Sequence, residues 1–136
     1  MNFFSFYFLA MLIIGCSSDD GNNSCGVQER DVILIYQKDV GEFAKCNYTS
    51  IEGSLYITDD AYIGNMEPLI KDISGLSSLT SISGDIGIKN IVGLTFLYGL
   101  QNIETCKSLD IIGCKKLANT GVLQKLKPKG RGLYYE

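Results

Sequence analysis

The chain has no histidine and no tryptophan, and only two prolines among its 136 residues. Without histidine it lacks the commonest general base, the commonest metal ligand and the one side chain that ordinarily titrates near neutrality. With no second close cysteine pair to replace it, neither a metal site nor a cofactor is expected. Long apolar runs are scarce too: the longest, residues 3–14, is too short to cross a bilayer as a helix. Cations are in slight deficit, with 12 Lys and Arg against 15 Asp and Glu. No stretch reads as a basic stripe with interleaved aromatics, so nucleic acid is not an expected partner. What is abundant is glycine, 15 residues, which with so little proline suits many short strands joined by tight turns.

The organising feature is a repeat. Thr49-Ser50-Ile51-Glu52-Gly53-Ser54-Leu55-Tyr56-Ile57 returns further along the chain as Thr80-Ser81-Ile82-Ser83-Gly84-Asp85-Ile86-Gly87-Ile88. A short alternating run that recurs with its glycine in register predicts stacked supersecondary units. Extended along the chain, the pattern gives an inward ladder: Leu55/Ile57, Ile86/Ile88, Leu109/Ile111 and Leu133/Tyr135. Strands separated by crossovers must pair in parallel. The expected fold class is therefore a right-handed parallel β-helix, or leucine-rich-repeat-like solenoid, with one short N-terminal helix. That helix is predicted near Asp39, with Val40, Phe43 and Ala44 on one face. The crossover from Thr58 to Leu79 is longer than the next, which predicts a projecting loop over 59–68 carrying Tyr62 and Met66.

The apolar run 3–14 reads as the core of a signal peptide occupying 1–15. It ends in Leu12-Ile13-Ile14-Gly15-Cys16, which resembles the bacterial lipobox. That resemblance implies cleavage before Cys16 and its acylation, so that 16–24 become a lipidated polar tether and 25–136 the folded domain. The leader carries no Lys or Arg after Met1, and Ile14 stands where a small residue is usual; a plain secretory signal is the alternative. Either way the chain is exported, to the outer membrane or cell surface if anchored through lipid, or free if secreted. Export permits disulfides. Cys25 and Cys46 bracket the strand-like 31–36 and the helix candidate, and a bridge between them is expected, contributing about 3 kcal/mol in the chain-entropy model.

Cys46-Asn47-Tyr48-Thr49-Ser50-Ile51-Glu52-Gly53-Ser54-Leu55-Tyr56-Ile57, with Cys25, a strand and a helix upstream, resembles the opening of the receptor L domain, the ligand-binding module of insulin and epidermal growth factor receptor ectodomains. Similar repeats occur in bacterial surface lipoproteins. The resemblance covers roughly 25–126 and implies non-catalytic protein binding; receptor L domains are usually longer, with a closing cysteine element at the C-terminal end.

Alternation then sets the outward rows of the β face: Ser54, Asp85 and Ser108; Tyr56, Gly87 and Asp110, extended by Tyr134; and Thr58, Lys89 and Ile112. The candidate binding residues are Ser54, Tyr56, Thr58, Asp85, Lys89, Asp110 and Tyr134, and the expected partner is a protein or glycan. A simply solvated sheet face is the plainer reading of any one of them. Asp59, Asp60, Glu67, Asp85 and Asp110 are the acids a glycosidase-like mechanism would draw on, but no pattern sets two of them in contrasting environments, so no enzyme is expected. Cys106 and Cys114 flank one strand, ~26 Å apart if extended, so direct pairing requires that strand to be broken; buried thiols are the plainer reading. The expected function is a cell-envelope lipoprotein acting as a binding or adhesion module; the alternative is a structural chain that stacks end to end in an envelope assembly.

Overall fold

The computed structural model describes residues 25–59, 69–118, 121–128 and 133–135. The leader, Cys16, the tether and the 60–68 part of the expected loop, with Tyr62 and Met66, lie outside the described residues.

The recurring Thr-Ser-Ile-x-Gly builds a corner. Ser50–Ile51 and Ser81–Ile82 are two-residue strands, β3 and β5, paired in parallel so that Ile51 lies beside Ile82, both buried. The threonine just before each strand ties one pass of chain to the previous one. Thr49 Oγ1 donates to the Gly26 carbonyl at 3.1 Å and Thr80 Oγ1 to the Thr49 carbonyl at 3.0 Å. The glycine that follows is demanded by space. A Cβ on Gly84 would meet the Gly53 backbone at 2.7 Å as well as the Ser54 hydroxyl, a contact no side chain can make.

Beyond each corner the chain enters a longer strand. The order alternates between two sheets throughout: β1 (Val27–Gln28), β2 (Val32–Leu34), β3, β4 (Leu55–Thr58), β5, β6 (Ile86–Lys89), β7 (Thr105–Cys106), β8 (Leu109–Ile112), β9 (Lys127–Pro128) and β10 (Leu133–Tyr135). Odd-numbered strands form one five-stranded parallel sheet and even-numbered strands the other. In the long sheet Val32, Leu55, Ile86, Leu109 and Leu133 share one row, and Leu34, Ile57, Ile88 and Ile111 another. The side chains of both rows from β2 to β8 are buried.

A third side closes the core. On its first pass stands α1 (Gln37–Ala44), the one α-helix among the described residues. Asp39 reaches back from its first turn to accept the Tyr36 and Ile35 amides at 2.8 and 3.0 Å, satisfying donors that a helix start leaves without partners. Val40 and Phe43 face inward, and the Phe43 ring lies 4.9 Å from that of Tyr48. On the next pass the Gln37 side chain accepts the Lys71 and Asp72 amides and donates to the Asp72 carbonyl, binding α1 to the segment that follows. There and on the third pass apolar residues enter the core at every third position: Ile70, Ile73, Leu76 and Leu79, then Ile91, Leu94, Leu97, Leu100 and Ile103. Each contributes about 2 kcal/mol of burial.

The expected fold class is corrected. Two parallel sheets and one α-helix make a small α/β fold, not a solenoid of repeated units. Successive long strands begin at 32, 55, 86, 109 and 133, so the second interval is much longer than the others. The connecting side also changes, from α-helix to 3-10 turn (Ser74–Leu76) to irregular chain to 3-10 turn (Gly121–Lys125). Equivalent units are what stacking one repeat on another requires; here the sheet register recurs while the third side does not.

The expected disulfide is also corrected. Cys25 carries a thiol and so does not bridge to Cys46. The backbones are adjacent, the Cys25 amide donating to the Cys46 carbonyl at 2.8 Å. The side chains part company: Cys46 is fully buried, whereas Cys25 stands at the border of the core near Tyr48. Burial raises both the Cys25 thiol and the Tyr48 hydroxyl above their ordinary pKa. Cys106 and Cys114 are buried thiols outside any disulfide. Cys106 takes the inward place that Ile51 and Ile82 hold on the neighbouring strands, and burial, with the Asp85 charge adding to it, pushes its thiol up to about 11.

Candidate functional site

The outer face of the long sheet holds the candidate residues, and the structure divides them. Ser54, Asp85 and Ser108 belong to a polar ladder at the entry to the long strands. The Ser54 amide donates to Asp31 Oδ1 at 2.8 Å, the Asp85 amide to Ser54 Oγ at 3.0 Å, and Ser108 Oγ to Asp85 Oδ1 at 2.7 Å. Each side chain thus caps a neighbouring pass of chain, in the manner of Ser and Asp at turns. Asp31, which begins the ladder, escaped the sequence reading because it lies before the repeat. An acid just ahead of a strand, one pass of chain before Ser54, was the available signal.

Further along the same strands the face opens. Ile33, Tyr56, Gly87, Asp110 and Tyr134 stand side by side in one row. Gly87 is buried although it points outward, because Tyr56 leans over it: a Cβ there would lie 3.0 Å from Tyr56 Cδ1 and 3.4 Å from Cε1. The Lys89 stem comes within 3.8 Å of the same point. A bare glycine between two strands thus lets an aromatic ring and a lysine stem share one shallow site. Asp110 is half-buried on the next strand and Lys89 is exposed. Among the described residues neither enters an ion pair.

The third row contributes less. Thr58 lies opposite Lys89 and Lys89 opposite Ile112, but the Thr58 hydroxyl oxygen is itself buried. The open patch is therefore Tyr56, Lys89 and Asp110 around Gly87, with the Tyr134 backbone in register beside Asp110. It offers a ring face, a cation and a carboxylate, a set suited to contact through an aromatic anchor flanked by directional polar groups. Among the described residues no group of three His, Cys, Asp or Glu could hold a metal ion, and no helix is long and apolar enough to cross a membrane.

A second surface was missed. Val92, Phe96 and Tyr98 are about half exposed, at 51, 48 and 53%. They lie on the third side between β6 and β7, where the regular inward placing of Ile91, Leu94, Leu97 and Leu100 turns them outward. The signal was in the sequence: a period of three leaves Phe96 and Tyr98 on either side of an inward Leu97.

No family model matches the chain, and neither a curated protein nor a solved structure matches it.

Proposed function

We propose that this protein is an exported, non-catalytic binding module of the bacterial cell envelope, anchored through acylated Cys16, that captures a protein or glycan on the outer face of its long sheet. The observation that carries this reading is the Tyr56, Lys89 and Asp110 patch around Gly87: an aromatic ring beside two opposite charges that have no ion-pair partner among the described residues. In the neighbouring row the polar groups are engaged with one another, so the patch is where the sheet still has polar groups to offer. The lipobox-like Leu12–Cys16 and the receptor-L-domain-like Cys46–Ile57 support export and binding respectively.

The test combines Tyr56→Ala with Asp110→Ala and measures binding to an immobilised glycan array and to surface-protein extracts. Binding should fall at least about tenfold, the loss of roughly 1.4 kcal/mol, with the thermal midpoint unchanged. Ligand capture that survives the double substitution sinks the assignment of this face. Export is read separately: labelled fatty acid should enter the full chain and fail to enter Cys16→Ala.

A further inference from the structure

The net charge of −3 conceals an asymmetry. Residues 1–110 hold 6 Lys and Arg against 14 Asp and Glu, whereas 111–136 hold 6 against one, the terminal Glu136. No acid occurs between Lys89 and Glu104 either. The structure brings these two acid-free stretches together on the third side. The Asn90 amide donates to the Ile112 carbonyl at 2.8 Å, and the Ala118 amide to the Thr95 carbonyl at 2.9 Å. Between those ties the two segments have nearly equal length, so Lys115 and Lys116 run alongside the stretch from Val92 to Leu94. From the pass on the other side, the stem of Lys71 lies across Gly93, its Cγ 3.1 Å from where a Cβ would stand.

The result is an exposed strip in which Lys71, Lys115 and Lys116 lie about Val92 and Gly93, and Phe96 and Tyr98 follow further along the same pass. All three lysines are exposed, and among the described residues none enters an ion pair. The neighbouring acid Asp72 has an oxygen engaged by the Ser74 amide at 2.8 Å. The Phe96 and Tyr98 rings lie 5.5 Å apart and 21° from parallel, so they present one joint apolar surface. Their exposure is not explained by the core, which Leu94, Leu97 and Leu100 fill without them.

We infer that this strip is a docking surface for an anionic lipid bilayer, with Val92, Phe96 and Tyr98 entering the headgroup and acyl boundary while Lys71, Lys115 and Lys116 meet lipid phosphates. Exposed aliphatic and aromatic side chains with long-stemmed cations at one end match an interface that is apolar below and negatively charged above. A nucleic acid would use the lysines and the rings, but Val92 offers no face on which a base could stack. The surface is separate from the sheet face and does not depend on its ligand. Its consequence for an anchored protein is orientation: the strip lies on the membrane and the long sheet is held at a set angle to it.

Because the chain has no tryptophan, one introduced ring reports its own site whatever the leader does. The full chain bearing Tyr98→Trp is mixed with phosphatidylcholine vesicles, with or without a third of phosphatidylglycerol, whose acyl chains carry bromine. A chain bearing Tyr56→Trp is the reference. Tyr98→Trp should be blue-shifted and quenched on the anionic vesicles at low salt, and Tyr56→Trp should not. Adding Lys115→Glu and Lys116→Glu should lower the partition coefficient at least about tenfold, with glutamine at both positions giving an intermediate loss and the thermal midpoint unchanged. Equal quenching at the two reporters, no quenching at position 98, or quenching indifferent to lipid charge and to both pairs of substitutions overturns the inference. So does a response to a single-stranded oligonucleotide without one to vesicles, which assigns the strip to nucleic acid.

Discussion

Two neighbouring rows of outward residues on the same strands behave in opposite ways. Ser54, Asp85 and Ser108 look like an exposed polar row, yet each binds a neighbouring pass through a hydrogen bond of 3.0 Å or less. Tyr56, Gly87 and Asp110 follow the same alternation, yet a ring lies over a glycine and a carboxylate stands without an ion-pair partner among the described residues. Side-chain polarity and outward direction are the same in kind. What differs is whether a second polar group lies within reach, and that depends on how closely the passes approach at the corner.

The two glycines give the largest contrast. Gly84→Ala would drive a Cβ into the Gly53 backbone at 2.7 Å, which cannot move without opening the corner. A loss of at least about 3 kcal/mol is expected, read as a fall in the denaturant midpoint. Gly87→Ala meets the Tyr56 ring instead, and a ring can swing aside. Its cost should stay within about 1 kcal/mol while the displaced ring weakens ligand binding. Equal stability losses at the two sites would show that the corner is no more rigid than the face.

The acids repeat the comparison at smaller scale. Asp85→Ala leaves the half-buried Ser108 hydroxyl without its acceptor and should cost about 1–2 kcal/mol. Asp110→Ala should lie within about 0.5 kcal/mol. Chemical denaturation of both variants checks the order, and a reversed order breaks the distinction between ladder and face.

The smallest effect at neutral pH concerns Cys106. Burial, with Asp85 adding to it, holds its folded pKa at about 11, up from 9.0. A raised pKa means that the folded chain keeps a proton which the unfolded chain releases first. The contribution is whole below pH 9 and is lost as pH rises toward 11. Cys106→Ala should therefore flatten the alkaline fall in unfolding free energy over that window. An unchanged slope would place the alkaline loss on other groups.

Much of the fold was legible before any coordinate. The Thr-Ser-Ile-x-Gly repeat marks corners because its parts have separate duties: a hydroxyl for the previous carbonyl, an inward aliphatic, and a glycine where backbones meet. The inward ladder from Leu55 to Ile111 was legible because a strand alternates with period two, and α1 because Val40 and Phe43 fall on one helical face. The fold class was misread because strand register recurs while the third side does not. The open part of the site was half legible: Tyr56, Lys89 and Asp110 were named, but Asp85 could not be told from Asp110 by alternation alone.

By itself the sequence determined which residues face inward on β4, β6 and β8, where the Thr-Ser-Ile-x-Gly corners fall and that the strands pair in parallel, since these follow from local spacing and the reach of short side chains. Tertiary structure alone decided which outward groups find partners, that Cys25 and Cys46 meet through backbone and not sulfur, and that two acid-free stretches on successive passes lie side by side. Those outcomes depend on distances between passes of chain, and such distances are set by the packed core as a whole.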